Sequence, residues 1–200
     1  ILGEIDYIFG YNPSPFNFKL ADVNSDGVIN ILDVLGTQDI ILSPTTKSSP
    51  KGYNAIVSEN LSGNNYLAVT SQPANTNAAA TIDIEMNNDD VVKGMQFDLV
   101  LPTGFSIDKA DITATSRLSG FNVSASEVSE NTYKVLVFSL TSATIPAGTG
   151  IIISLPVFIE SSVSNATYPL PFTNVIISDT NKYEKYFGDF KNDRKTGNGK

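Results

Sequence analysis

Lys93-Gly94-Met95-Gln96-Phe97-Asp98-Leu99-Val100-Leu101-Pro102 is the stretch on which the fold turns. Met95, Phe97, Leu99 and Leu101 alternate with Gln96, Asp98 and Val100, the period of two that marks a strand with one buried face, and Pro102-Thr103-Gly104 ends it in a turn. Outward from there, Ile82, Ile84 and Met86 alternate with Thr81, Asp83 and Glu85, whereas Tyr133 to Phe138 and Ile151 to Leu155 are more apolar throughout. Asn87 to Asp90, Ser119-Gly120, Pro146 to Gly150 and Asn181-Lys182 supply turn residues between these runs. Short strands punctuated in this way predict a mainly β chain built as a sandwich.

Composition narrows the chemistry. The 200 residues hold 13 basic and 21 acidic side chains, a net charge of −8, and neither cysteine nor histidine. Thiol chemistry, zinc sites of the usual ligands and any imidazole base are thereby excluded, leaving carboxylates and oxygen-ligand metals. The acidity argues against nucleic acid as a partner. No run approaches the ~20 apolar residues of a membrane-spanning helix. Because the sequence opens on Ile1, any targeting peptide is expected to lie outside it.

Charge is uneven along the chain. Residues 1 to 45 carry Glu4, Asp6, Asp22, Asp26, Asp33 and Asp39 against Lys19 alone, a net −5. Ser43 to Gly52, rich in Ser, Thr, Pro and Lys, reads as the start of a linker. The expected organisation is a leading segment 1–45, a linker 46–65, a β-sandwich 66–190 and a basic, solvated tail 191–200. Within the leading segment, Ile1 to Phe9 and Val34 to Leu42 match at a constant offset of 33, with apolar residues at relative positions 1, 2, 5, 8 and 9 and with Gly and Asp in register. That spacing is one face of a helix, so a duplicated helical unit is predicted.

Between the two copies lies Asp22-Val23-Asn24-Ser25-Asp26-Gly27-Val28-Ile29-Asn30-Ile31-Leu32-Asp33. Ca²⁺ seeks six to eight oxygens. Asp22, Asn24 and Asp26 offer them at loop positions 1, 3 and 5, the Val28 carbonyl at 7, Asn30 through a water at 9, and Asp33 at 12. Gly27 takes the sharp turn and Ile29 anchors the loop to its neighbour. The segment departs from an EF-hand in two ways. Position 12 is Asp rather than Glu, and Pro13 and Pro15 bar an entering helix.

Those departures resemble dockerin modules, which pair a duplicated loop and helix with Asp at position 12. Residues 1 to 42 are similar to a dockerin lacking its first calcium loop, since the offset would put that loop's twelfth residue just before Ile1. Dockerins that bind cohesins through hydroxyls carry Ser and Thr at positions 10 and 11. Ile31 and Leu32 stand there instead, which implies an apolar contact, with a partner or with the following module. Lys93 to Pro102, and Asn174-Val175-Ile176-Ile177-Ser178-Asp179 after Tyr168-Pro169-Leu170-Pro171-Phe172, resemble strands of cohesins, which implies a cohesin-like jelly-roll β-sandwich.

The resemblance implies a non-catalytic, secreted or cell-surface adaptor of bacterial or archaeal type. It would pair with a protein carrying a cohesin or dockerin module, or with itself within one chain. The alternative is a polysaccharide-binding module, for which Tyr53, Tyr66, Tyr133, Tyr168, Tyr183 and Tyr186 are the candidate platform in a chain without Trp. A two-carboxylate glycosidase would need no histidine. Asp83, Glu85 and Asp98, however, occupy the polar positions of alternating strands, where a solvated face explains them.

Overall fold

The computed structural model describes residues 1–42, 66–70, 74–179 and 183–185. The leading segment forms α1 (Leu2–Ile8), a single turn α2 (Phe18–Ala21) and α3 (Ile31–Leu42). The helix pair follows the repeat, but α3 begins three residues earlier than the second copy. Asn30 Oδ1 accepts from the Leu32 amide (2.8 Å), while Asp33 Oδ2 accepts from the Asn30 amide (2.9 Å). This reciprocal capping box starts the helix at Ile31. Before the loop, α2 supplies one turn capped by Asn17, whose Oδ1 accepts from the Leu20 amide (3.3 Å).

The rest is antiparallel β structure. Strands β1 (Tyr66–Val69), β2 (Ala78–Asn88), β4 (Phe105–Ile107), β5 (Thr113–Ala114) and β8 (Gly148–Ile159) form the first sheet, with spatial order β1-β2-β8-β4 and β5 also on β8. Strands β3 (Val92–Val100), β6 (Asn122–Ser129), β7 (Thr132–Phe138), β9 (Phe172–Asp179) and β10 (Tyr183–Lys185) form the second, in order β10-β9-β3-β7-β6. The two sheets enclose the main core, to which β3 contributes Met95, Phe97 and Leu99, and β7 contributes Tyr133, Val135 and Val137. Phe97 and Phe172 meet edge to face at its centre, their centroids 5.3 Å apart.

Pro146 to Gly150 is only partly a turn, because β8 already runs from Gly148 and pairs with Asn88. Arg117 braces the start of that strand. Its guanidinium donates to the carbonyls of Met86 (2.7 Å), Pro146 (3.3 Å), Gly148 and Gly150, and to Asn88 Oδ1. One side chain thus ties the end of β2 to the start of β8. Linker 46–65 and tail 191–200 lie outside the described residues.

Candidate functional site: a docked helix and an acidic loop

The period-two pattern of β3 sends Gly94, Gln96 and Asp98 to the face of the second sheet turned away from the sandwich core. On neighbouring strands Leu136, Phe138 and Ile176 share that face, and they belong to a second apolar cluster with Ile5, Phe9, Ile31, Leu32, Val34 and Leu35. The leading segment therefore closes its core on the sandwich rather than by itself. Ile31 and Leu32, expected to make an apolar contact, are fully buried there against the chain's own sheet.

Three polar pairs fix the register of this dock. The Ile31 amide, the first of α3, donates to Gln96 Oε1 across 65 residues of sequence (3.1 Å). Lys93 Nζ lies 3.3 Å from Asp39 Oδ2. The Gln38 amide meets Ser139 and Ser142, donating to the Ser139 carbonyl (2.8 Å) and accepting from the Ser142 amide (2.9 Å). Gly94 marks a close approach. A Cβ there would stand 3.2 Å from both Leu35 methyls and 3.0 Å from the Val137 carbonyl, so a side chain would force Leu35 or the neighbouring strand to give by a few tenths of an ångström. Away from α3, Tyr11 and Ser126 share a hydroxyl hydrogen bond of 3.0 Å.

Position 98 corrects the expectation of a solvated carboxylate. Asp98 is buried on this face, held by Lys134 Nζ at 2.7 Å and by Asn174 Nδ2 at 2.7 Å. Asp83 accepts from Ser154 Oγ (2.6 Å) and Glu85 from the Tyr66 hydroxyl (3.1 Å). Of the other tyrosines, Tyr133 is buried in the main core and Tyr168 packs against Phe105, centroids 5.3 Å apart. Tyr53 and Tyr186 lie outside the described residues, as does the Tyr183 side chain.

The acidic loop runs directly into the dock. Ser25 and Gly27 both take left-handed backbone, with φ of 59° and 83°, and so curl Asp22 to Val28 back on itself. Asp22 Oδ1 accepts from the Asp26 amide (3.1 Å), Asp22 Oδ2 from Gly27 (3.0 Å), Asn24 Oδ1 from Asp26 (3.0 Å), and Asp26 Oδ1 from Val28 (2.9 Å). Asp33 joins the two ends of the loop. Its Oδ1 accepts from the Val23 amide (2.9 Å) and the Asn24 amide (3.4 Å), its Oδ2 from Asn30. Burial pushes this carboxyl up to about 6, working against the amide hydrogen bonds from Asn30 and Asn24, and the charge of Asp26 adds to the rise.

Asp22, Asn24, Asp26, Val28, Asn30 and Asp33 are thus all-oxygen donors on one curled segment, a set that suits a hard cation by type. In this conformation the carboxylates are turned onto the loop's own amides. Among the described residues, no three His, Cys, Asp or Glu side chains gather as a group that could hold a metal.

Gln96, Gly94 and the Asp98–Lys134–Asn174 group were not singled out as functional by sequence. Their importance comes from residues far away in the chain, and no local period signals it. For Leu136 and Phe138 a signal existed, in the loss of alternation along β7.

No family model matches the sequence, and no curated protein matches it. Similarity to solved structures is found. A non-cellulosomal cohesin of Archaeoglobus fulgidus is 13% identical over 60% of this chain and 89% of its own, with a TM-score of 0.49. The sixth cohesin of scaffoldin B from Acetivibrio cellulolyticus, solved in complex with a Cel5 dockerin variant, is 14% identical over 60% of this chain and 96% of its own, with a TM-score of 0.49. A cohesin module from a Clostridium perfringens family 33 glycoside hydrolase is 16% identical over 64% and 95%, again with a TM-score of 0.49. Each likeness spans about three fifths of this chain, at identities too low to carry a function.

Proposed function

We propose that this chain is a non-catalytic docking adaptor, in which the outer face of the second sheet is a protein-binding surface and the Asp22–Asp33 loop, ordered by Ca²⁺, shapes the helix that such a surface accepts. The single observation behind this reading is the dock itself. An apolar sheet face, with Gln96 and Gly94 at its centre, accepts the N-terminus of α3 through a hydrogen bond from the Ile31 amide to Gln96 Oε1 and a leucine slot. Contiguous apolar surface of this kind marks an interaction site, and the partner class in this reading is a protein carrying a dockerin or cohesin module. Secretion or display at the cell surface belongs to the same proposal. No helix among the described residues is long and apolar enough to cross a membrane.

Calcium would act through folding. The charge of Asp26 opposes that of Asp33 without a counter-ion, and segments as short as α1 and α3 are marginal without added constraint. Asp22, Asn24, Asp26 and Asp33 would hold the ion through side-chain oxygens, Val28 through its carbonyl and Asn30 by way of a water. Thermal unfolding of the full chain, in millimolar calcium and then in excess chelator, tests this. Chelator is expected to lower the melting temperature of the native sequence and to leave Asp22→Ala unaffected. An identical curve in both buffers would remove calcium from the account.

A further inference from the structure

We infer that residues 1–42 act as a plug in cis, and that the face they cover accepts the same segment from a second copy once its own has been withdrawn. This rests on the docking reading above and adds regulation to it. Leu136, Phe138 and Ile176 lie on the outside of the sandwich, yet all three are buried like core residues, because the plug covers them. Withdrawn, the plug would leave these three and the Gln96 acceptor in water, an apolar patch of the kind that monomers seldom leave bare.

The contacts that hold the plug belong to recognition rather than to chain connectivity. Gln96 completes the one early amide of α3 that neither Asn30 nor Asp33 reaches, Gly94 admits Leu35, and Lys93 meets Asp39 at the rim of an acidic segment. Nothing in these pairings requires that both halves share a polypeptide. What favours closure in cis is the tether. A linked segment acts at a local concentration of roughly millimolar order, so an outside occupant must outcompete it, and the intact chain is closed to partners.

Two full-length variants separate the plug from its seat. Leu35→Glu places a charge over Gly94, spoiling the plug and leaving the face intact. Leu136→Glu spoils the face and leaves the plug intact. Sedimentation velocity is expected to show the native chain and each variant alone as monomers, and an equimolar mixture of the two as a 1:1 heterodimer. Zero-length carbodiimide coupling of Asp39 to Lys93 reads the same event by mass. The cross-link forms within the native chain, is lost in each variant, and appears between chains in the mixture at about tenfold or more over either variant alone.

The milder pair Leu35→Ala and Leu136→Ala, each truncating one side of the same apolar contact, covers the case in which a buried glutamate prevents folding, with sedimentation as the readout. Each should stay monomeric alone and associate with the other on mixing. Two results overturn the inference. In one, both mixtures stay monomeric up to roughly 100 µM, beyond the affinity of ordinary specific pairs. In the other, the native chain takes up Leu136→Glu as readily as Leu35→Glu does. A lost calcium response with these associations intact would count against the metal, not the plug.

Discussion

Leu2 and Leu35 occupy the same place in the two copies of the repeat, yet one is 73% exposed and the other 1%. Truncating each to alanine removes the same three carbons, so any difference in cost measures the dock. At about 0.8 kcal/mol per buried carbon the transfer part for Leu35 is roughly 2.4 kcal/mol. The slot over Gly94 is lined by sheet backbone and cannot collapse, so a cavity contribution raises the total to about 3 kcal/mol, within the usual range for buried leucines. For Leu2 the expected cost is under about 0.5 kcal/mol, as for other surface sites.

Because Leu35 lies between the leading segment and the sheet, its loss falls first on the docked equilibrium, a shift on the order of a hundredfold. Denaturant unfolding followed by circular dichroism gives the stability. Amide exchange at Ile31, whose N–H is held by Gln96, gives the dock. Equal costs for Leu2→Ala and Leu35→Ala would refute the reasoning, as would unchanged Ile31 protection in Leu35→Ala.

Gln96→Leu leaves the Ile31 amide buried without an acceptor and should cost about 1–3 kcal/mol in denaturant unfolding, with faster exchange at Ile31 and the neighbouring α3 amides. Arg117→Lys cannot satisfy carbonyls on two strands at once and should destabilise the sandwich by about 2 kcal/mol, seen as a lower denaturation midpoint with the Asp39–Lys93 cross-link retained. Asp33 gives a pH dependence in chelated buffer. Its folded value of about 6 lies above the unfolded 3.8, so the folded state binds the extra proton. This group's penalty is full above about 6 and fades toward 3.8, worth up to about 3 kcal/mol. The chelated chain should therefore gain stability between pH 7 and pH 5, and Asp33→Asn should flatten the gain.

The helix pair, the curled loop and the sandwich strands were legible in the sequence because each rests on a local period or on residues with special backbone needs. The offset of 33 even joins residues that touch, since Thr37 Oγ1 donates to Glu4 Oε1, its counterpart in the other copy, at 2.6 Å. Sequence also placed Gln96 and Asp98 on the polar side of β3. It did not say what that side faces. Polar positions read as solvated when in fact Gln96 meets a helix amide and Asp98 a lysine and an asparagine, because alternation reports which face a residue takes and not what covers it.

The adjoining strand held the missing information. In Tyr133-Lys134-Val135-Leu136-Val137-Phe138 the residues at 133, 135 and 137 already satisfy the sandwich core, so Leu136 and Phe138 are in excess of what a half-buried strand needs. A strand apolar on both faces must be covered twice. One cover is the opposing sheet. For the other, the sequence offers an amphipathic segment with a leucine, and a neighbouring strand with a glycine at the matching height to receive it. Asymmetry along β7, polar at Lys134 and apolar at Leu136 and Phe138, then specifies where the cover begins. Only the half of the face beyond Lys134 is built to be sealed by a helix, and that is the half on which α3 lies.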